Sequence, residues 1–412
     1  MTAFELIAAL ISMAALFAWI NHRWIRLPVA IGLMVISLVM SVVLVALSRA
    51  GVGWVSGFLE VVAAIDFDEA LLHGMLGALL FAGALHVNLD DLARERGAIA
   101  ILATGGVLLS TAVVGLVSWS LFGALGLAVP LGACLVLGAI VSPTDPIAVS
   151  ALLRKAGVPD ALLVKVTGES LFNDGIGVVV FLLALAMAQG GQSVDAPYVT
   201  RLIVREVVGG LAWGALVGFV AFRMLRSVDQ YTVEILVTLA VVTGGYAMAH
   251  KLHVSGPLAM VVAGIFLGNQ GRALAMSDTT RARLDSFWEL VDEFLNAVLF
   301  VLIGVEVVAV DFAGPVLVAA ALTIPVALAA RWVSVLIPIA ALRPWRRFSK
   351  HAVKVLTWSG LKGGISVALA LSLPEGPHRG LIVTATYFVV CFSIIVQGLT
   401  VGPFVARLFR RP

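Results

Sequence analysis

The chain has 412 residues, of which 61% are hydrophobic and only 12% are charged, with a formal net charge of +3. Soluble domains carry about 25% charged residues, so this composition excludes a soluble protein and predicts an all-α polytopic membrane protein embedded in a lipid bilayer. The two cysteines lie in apolar runs and predict free thiols rather than a disulfide or a metal site. The sequence has no zinc-ligand spacing, phosphate-binding loop or nucleophile elbow, so we expect neither an enzyme nor a resident cofactor.

Apolar runs of about 17–25 residues are long enough to cross a bilayer as helices. The first of them is not followed by a small-residue cleavage site, so we interpret it as a span rather than a signal peptide. The sequence contains thirteen such runs, at 3–20, 27–48, 71–88, 97–122, 130–152, 161–188, 201–225, 232–250, 254–270, 287–309, 313–341, 352–373 and 380–408.

The basic residues predict an orientation, because cytoplasmic loops of membrane proteins are enriched in Lys and Arg. With an external N-terminus, 20 of the 27 lysines and arginines fall in inner segments and five in outer ones, while Arg331 and Lys362 lie within spans. The acidic stretch from Glu60 to Glu69 then lies outside. This bias predicts an odd number of spans and a cytoplasmic C-terminus.

The fifth run is interrupted by the sequence Ser142-Pro143-Thr144-Asp145-Pro146. Proline lacks a backbone donor and clashes with the preceding helical turn, so two prolines three positions apart predict an opened helix. Opened carbonyls are tolerated at this depth only against protein or a water-filled cavity, and oxygen is the ligand that hard cations prefer. A proline kink with Asp145 capping the second half-helix is the alternative, compatible interpretation.

The sixth run contains Glu169, Ser170, Asn173 and Asp174. A carboxylate at bilayer depth costs roughly 2.5–3.5 kcal/mol, and such residues mark ion or proton pathways. Residues four apart are neighbours on a helix, so Ser170 and Asp174 can offer oxygens to one ion. Glu169 and Asn173 lie on the adjoining strip. A satisfied polar contact between helices is the alternative.

Arg331 lies within an apolar run and therefore needs an acidic partner. A pair with Asp174 would block cation binding, whereas a structural pair with Glu169 would leave Asp174 free. We interpret Glu306, near the outer end of its helix, as a structural residue, with ion binding as the alternative. The intramembrane acids with which Arg331 could form an ion pair are Glu169, Asp145, Asp174 and Glu306.

The twelfth run is interrupted by Gly360, Gly363 and Gly364, which are poor helix formers. Half-helix ends carry opposed partial charges, so Lys362 would offset a negative end as Asp145 offsets a positive one. The alternative is a flexible packing site with Lys362 extended to the cytoplasm. The fifth run is the middle one of the fourth to sixth runs, and the twelfth is the middle one of the eleventh to thirteenth. This arrangement is typical of inverted-repeat transporters.

Four segments together resemble the NhaP/NHE branch of the sodium/proton antiporters: SPTDP at 142–146, GESLFNDGIGVVVF at 168–181, the Arg331-Trp-Val-Ser span, and GLKGGISVALALSLP at 360–374. The resemblance implies a homodimer with the NhaA-like antiporter fold, with thirteen transmembrane helices in each protomer. It also implies that the fifth and twelfth helices are unwound and cross. The expected parts are dimerisation-domain helices in 1–95 and 229–310, core-domain helices in 96–190 and 311–412, and a linker helix in 191–228.

Carried over by motif, the resemblance implies an ion site in the core domain. Asp174 would be the carboxylate that binds either a proton or the cation. Ser170, Asp145 and the carbonyl group of Thr144 would be the other Na+ contacts, and Asn173 would hold the site together.

The resemblance also implies that Glu169 and Arg331 form the ion pair that fastens the core. The family often has Arg where this chain has Lys362, so the charge-compensating role carries over less directly.

The activity implied by the resemblance is exchange of Na+ or Li+ for H+ across a prokaryotic inner membrane, without a cofactor or a nucleic-acid partner. An Asn-Asp pair at 173–174 implies one-for-one, electroneutral exchange, since a branch with Asp at the first position is electrogenic. K+/H+ exchange is the main alternative. A cation channel and an intramembrane acid–base enzyme are the others.

Overall fold

The computed structural model describes residues 3–51, 74–145, 147–190, 194–310, 313–346 and 348–409, and this part of the chain is almost entirely helical. Six π-helical turns occur in the described residues, at Asn21–Ile25, Leu102–Gly106, Val204–Val208, Val241–Gly245, Leu267–Gly271 and Ser393–Gln397. The first directly follows a helix that ends at Ile20, and each of the other five lies within a longer helix. In chain order the helices of the described residues are α1 Ala3–Ile20, α2 Val29–Arg49, α3 Leu76–Leu85, α4 Leu89–Ala124, α5 Leu131–Val141, α6 Ile147–Lys155, α7 Asp160–Gln189, α8 Ala196–Leu225, α9 Tyr231–Leu252, α10 Gly256–Ala275, α11 Asp278–Val305, α12 Gly314–Leu342, α13 Ala352–Trp358, α14 Gly364–Leu371 and α15 Arg379–Phe409.

Eight helices of the described residues are long and apolar enough to cross a membrane: α2, α4, α7, α8, α9, α10, α12 and α15. The helices α3 and α5 are apolar but shorter. The chain is therefore a multi-pass helical membrane protein, as its composition predicts. The first part of the run 71–88, the acidic stretch from Glu60 to Glu69, and Pro146 lie outside the described residues.

Two helices begin about two turns before the apolar runs that predict them. Helix α4 begins at a cap in which Asn88 Oδ1 accepts the N–H groups of Asp90 and Asp91, at 2.8 and 3.1 Å. At the start of α11, Ser277 Oγ accepts the N–H group of Thr280. Capping side chains satisfy the free donors of a first turn, so polar turns extend these helices beyond the part that hydropathy detects.

Two of the apolar runs are each divided into two helices. Helix α5 ends at Val141 and α6 begins at Ile147, so the Pro-containing segment separates them. Helix α13 ends at Trp358 and α14 begins at Gly364, with the Gly-containing segment between them. Pro143 lies in the first of these two intervals, and Gly360 and Gly363 lie in the second.

The helices pack in two groups, and α7 contacts both. In one group α2 packs along α11, while α3 and α8 pack against α10. In the other group α5 packs against α4 and α7, and α12 packs against α4 and α15. Close approach of α10 to α3 requires a glycine, because a Cβ atom on Gly264 would lie 2.8 Å from the carbonyl oxygen of Phe81. Helix α7 carries Asp174 and also contacts α3 and α10, so that side chain lies at the boundary between the groups.

Candidate functional site

The two interrupted segments meet at Asp145 and Leu361. The N–H group of Asp145 donates to the carbonyl oxygen of Leu361 at 2.8 Å, which forms an isolated antiparallel bridge. Four helix ends, those of α5, α6, α13 and α14, therefore lie close to one point. Helix ends leave unsatisfied N–H and C=O groups, so this point concentrates backbone dipoles inside the protein.

The side chain of Lys362 satisfies the C-terminal end of α5. Its ammonium group donates to the carbonyl oxygens of Ser142 and Pro143, at 2.9 and 3.2 Å. Its backbone N–H group donates to Ser393 Oγ at 2.9 Å. The side chain is buried, so it does not extend to the cytoplasm in this structure. A cation at a helix C-terminus is favourable because that end carries a partial negative charge.

Arg331 on α12 lies beside Glu169 of α7, rather than beside Asp174. Its Nη1 and Nη2 groups donate to the two carboxylate oxygens of Glu169, the second bond measuring 3.1 Å. Its Nε and Nη2 groups also donate to the carbonyl oxygen of Leu356, near the C-terminal end of α13, at 3.3 and 3.0 Å. Arg331 therefore joins three helices and leaves Asp174 out of the ion pair.

Thr144 lies in the interrupted segment and is held by two side chains of α7. Asn173 Nδ2 donates to Thr144 Oγ1 at 2.8 Å, and the N–H group of Thr144 donates to Asn173 Oδ1 at 3.3 Å. The hydroxyl oxygens of Thr144 and Ser170 lie 3.0 Å apart. Asn173 and Ser170 thus fix the backbone of this segment against α7.

Asp145 and Asp174 line the same small cavity, of about 60 Å³. Asp174 is only 8% exposed, and its Oδ1 atom has no hydrogen-bond partner among the described residues. Within those residues, no group of three or more His, Cys, Asp or Glu side chains is arranged to hold a metal ion. The remaining lining comes from Leu76, Leu79, Leu80, Gly83, Leu171, Leu299, Gly363, Gly364 and Ile365.

This cavity is chemically suited to one small positive charge. An unpaired buried polar atom is costly, and more so when it is charged, so Asp174 Oδ1 gains from binding a proton or a cation. The approach of Asp145 depends on a missing side chain, because a Cβ atom on Gly363 would lie 2.5 Å from Asp145 Oδ2. Thr144, Ser170 and Asn173 do not line the cavity but form the adjacent hydrogen-bonded cluster.

A second, larger cavity of about 370 Å³ lies between α7, the start of α10 and the ends of α9 and α14. Its lining includes Val178, which follows Asp174 by one helical turn, and the polar residues Glu206 and His250. Leu76 lines both cavities. Both cavities therefore lie next to Leu76, near the start of α3.

Sequence reasoning missed two polar residues of α15. Ser393 accepts the N–H group of Lys362, and Gln397 Nε2 donates to the carbonyl oxygen of Trp358 at 3.2 Å, so both satisfy the second interrupted segment. Their signal was the presence of polar side chains in the middle of a long, mostly apolar run. Glu306 lies in a short 3₁₀ turn after α11 and does not line the small cavity.

The chain is similar in sequence and fold to known antiporters. The family model described as the transmembrane sodium/hydrogen exchanger matches residues 11–407. The Na+/H+ antiporter NhaP of Pseudomonas aeruginosa is 46% identical over 410 residues, which cover 98% of this chain and 97% of that protein. The Na+/H+ antiporter NhaH of Halobacillus dabanensis is 32% identical over 356 residues, covering 83% of this chain and 84% of that protein.

A solved structure extends the similarity to the whole fold. The sodium proton antiporter MjNhaP1 from Methanocaldococcus jannaschii matches with a TM-score of 0.75 and 18% sequence identity, covering 99% of both chains. The sequence motifs, the family match and this shared fold agree. The chain belongs to the sodium/hydrogen exchanger family, as a relative of the NhaP-type antiporters.

Proposed function

We propose that the protein is a secondary antiporter that exchanges Na+ or Li+ for H+, with Asp174 binding either the cation or the proton. The observation that carries this proposal is the small cavity in which Asp174 Oδ1 is buried without a hydrogen-bond partner among the described residues, beside the second carboxylate of Asp145. The Na+/H+ antiporters among the relatives support the choice of ions.

Exchange follows from competition for one charged oxygen. Two carboxylates facing one cavity repel each other unless a positive charge binds between them. The proposed further contacts of Na+ are Asp145, which lines the cavity, and Ser170 and the carbonyl group of Thr144, which lie in the cluster beside it, since hard cations prefer oxygen ligands. A hydroxyl oxygen has two acceptor positions, so Ser170 can keep its bond to Thr144 and still face an ion.

We propose that the exchange is electroneutral, one cation for one proton. Either ion adds a single positive charge to Asp174, and the neighbouring Asn173 cannot titrate. Lys362 is proposed to compensate the helix end at Ser142 and Pro143, and Glu169 with Arg331 is proposed to be structural. None of these groups then needs to change its charge during transport.

The proposed architecture has thirteen transmembrane helices in inverted repeats, with the interrupted fifth and twelfth helices crossing. Support comes from the bridge between Asp145 and Leu361 and from the packing of the helices in two groups. Dimerisation-domain helices would lie in 1–95 and 229–310, core-domain helices in 96–190 and 311–412, and the linker in 191–228. We propose a homodimer in a prokaryotic inner membrane, with the N-terminus outside and the C-terminus cytoplasmic.

Reconstitution into proteoliposomes tests the function and the choice of ion. With an imposed pH gradient, Na+ and Li+ should dissipate the gradient, whereas choline, as the control cation, should not. Proton movement with K+ at least equal to that with Na+ would assign K+/H+ exchange instead. Cation flux that needs no counter-ion and far exceeds carrier turnover would indicate a channel.

A further inference from the structure

Helix α11 carries a polar strip that leads from its N-terminal half towards the small cavity. Asp292 and Asn296 are four residues apart, and Leu299 follows Asn296 by three, so the three side chains share one face of the helix. Leu299 lines the cavity of Asp145 and Asp174. The helix face that carries Asp292 and Asn296 therefore reaches the proposed exchange site through the apolar side chain of Leu299.

Asn296 has a buried oxygen that the fold does not satisfy. The residue is 7% exposed, and its Oδ1 atom has no hydrogen-bond partner among the described residues. Its Nδ2 group donates to the carbonyl oxygen of Asp292 at 2.8 Å, which places the amide over the preceding helical turn. A buried amide oxygen without a hydrogen-bond partner is unfavourable, so a cation bound at this oxygen would stabilise it.

Asp292 adds a second oxygen of the same kind. The residue is half-buried, and its Oδ1 atom is buried without a hydrogen-bond partner in the part of the chain that the structure describes. The two side chains are neighbours on the helix, because the Asn296 amide contacts the backbone of Asp292. Glu289 and Glu293 flank Asp292 but are exposed.

We propose that Asp292 and Asn296 form a second, weaker site for a monovalent cation, between the N-terminal half of α11 and the cavity of Asp145 and Asp174. The proposal rests on the proposed function, because the cation is the transported one. A carboxylate oxygen and an amide oxygen are the ligands that a hard cation prefers. Asp292 is open to water on one side, so a cation can exchange part of its hydration shell there before it reaches Asp174.

A diffuse attraction by exposed acids is a different effect and makes a different prediction. Exposed charges act through water and are screened by salt within about 10 Å at 0.1 M ionic strength. With such an attraction, removing the charge of Asp292 or that of Glu293 would lower the cation affinity equally, and the neutral Asn296 would have no effect. Binding at a defined site instead depends on Asp292 and Asn296 and not on Glu293.

The test uses the full chain in proteoliposomes and measures Na+-driven proton movement over a range of Na+ concentrations. The variants are Asp292→Asn and Asn296→Ala, with Glu293→Gln as a control that removes the same charge from an adjacent, exposed position. Asp292→Asn should raise the KM for Na+ about tenfold, the effect of losing one charged ligand, and leave kcat nearly unchanged. Asn296→Ala should raise KM by a smaller factor, and Glu293→Gln should leave KM unchanged. These differences should persist when choline chloride is added to a high concentration.

Two results would overturn the site. One is an unchanged KM in both Asp292→Asn and Asn296→Ala. The other is an equal rise in KM for Asp292→Asn and Glu293→Gln that choline chloride abolishes, which would assign the effect to surface charge. If Asp292→Asn fails to insert, Asn296→Ala decides the question, because it changes no charge. Absence of Na+-driven proton movement in the unmodified protein would instead overturn the proposed function, and the site with it.

Discussion

The ammonium group of Lys362 lies 2.9 Å from the carbonyl oxygen of Ser142, although the two residues are 220 positions apart in the chain. The second interrupted segment thus supplies the cation that satisfies the C-terminal end of α5. Before the second interrupted segment, Arg331 of α12 donates to the carbonyl oxygen of Leu356 in α13. Each helix that ends inside the protein before an interruption therefore has a cation at its negative end.

Replacing Lys362 with methionine should destabilise the protein. The change keeps the apolar length of the side chain but leaves the carbonyl groups of Ser142 and Pro143 without their charged donor, a loss of about 1.5–3 kcal/mol. Lys362→Arg should lose less, because a guanidinium group can still donate to both oxygens. Thermal unfolding of the purified protein in detergent measures the difference. A methionine variant as stable as the unmodified protein would contradict the helix-capping account of Lys362.

Glu169 and Arg331 should depend on each other for stability. Removing one partner leaves a buried charge without compensation, at a cost of about 3–5 kcal/mol. Glu169→Gln and Arg331→Ala should each lower the free energy of unfolding, and the double variant should lose less than the sum of the single losses. Strictly additive losses in this double-mutant cycle would mean that the two side chains do not interact energetically.

Gly363→Ala should impair exchange while the protein still folds. The new Cβ atom would lie 2.5 Å from Asp145 Oδ2, so either Asp145 or the start of α14 must move away from the cavity. Gly123→Ala on α4 is the matched control, because its Cβ atom would meet no atom within 4 Å. We expect the rate of Na+-driven proton movement in proteoliposomes to fall at least tenfold for Gly363→Ala, given that misplacement of a reacting group by about 1 Å costs on the order of 100-fold. Equal rates for the two variants would contradict a tight fit between Gly363 and Asp145.

The interrupted segments could be predicted from the sequence because their cause is local. Pro143 removes a helical hydrogen bond wherever it stands, and Gly363 with Gly364 weakens a helix regardless of its neighbours. Asp174 could be singled out because a carboxylate within an apolar run is costly in any fold. These arguments need only the residue and its flanking sequence.

The partners across the fold could not be predicted in the same way. From the residues alone, four acids could pair with Arg331; only the family resemblance implied Glu169, and the packing of the helices places Glu169 beside it. Ser393 supports Lys362 from another helix, and a single hydroxyl in an apolar run carries no information about its partner. The early start of α4 was missed because its first turns are polar and capped by Asn88. Hydropathy detects the apolar part of a helix and not its hydrogen-bonded length.

Electroneutral exchange can be tested with a membrane potential. If only Asp174 gains and loses a charge, each cycle exchanges one Na+ for one H+, and a potential should not drive transport. In proteoliposomes with matched pH and matched Na+ on both sides, a potential set with K+ and valinomycin should cause no change in internal pH, once K+ transport has been excluded separately. Steady, potential-dependent acidification would mean that a second charge moves, and Asp145 and Lys362 would be the first residues to examine.

The central claim is that one carboxylate, that of Asp174, binds both exchanged ions. The direct measurement is Na+-driven proton movement in proteoliposomes containing Asp174→Asn, compared with Asp160→Asn, which removes an exposed acid from the start of the same helix. Both variants should insert and fold, as judged by gel filtration and thermal unfolding. Asp160→Asn should exchange normally, and Asp174→Asn should show no exchange above protein-free liposomes. Normal Na+/H+ exchange by a correctly folded Asp174→Asn variant would contradict the account.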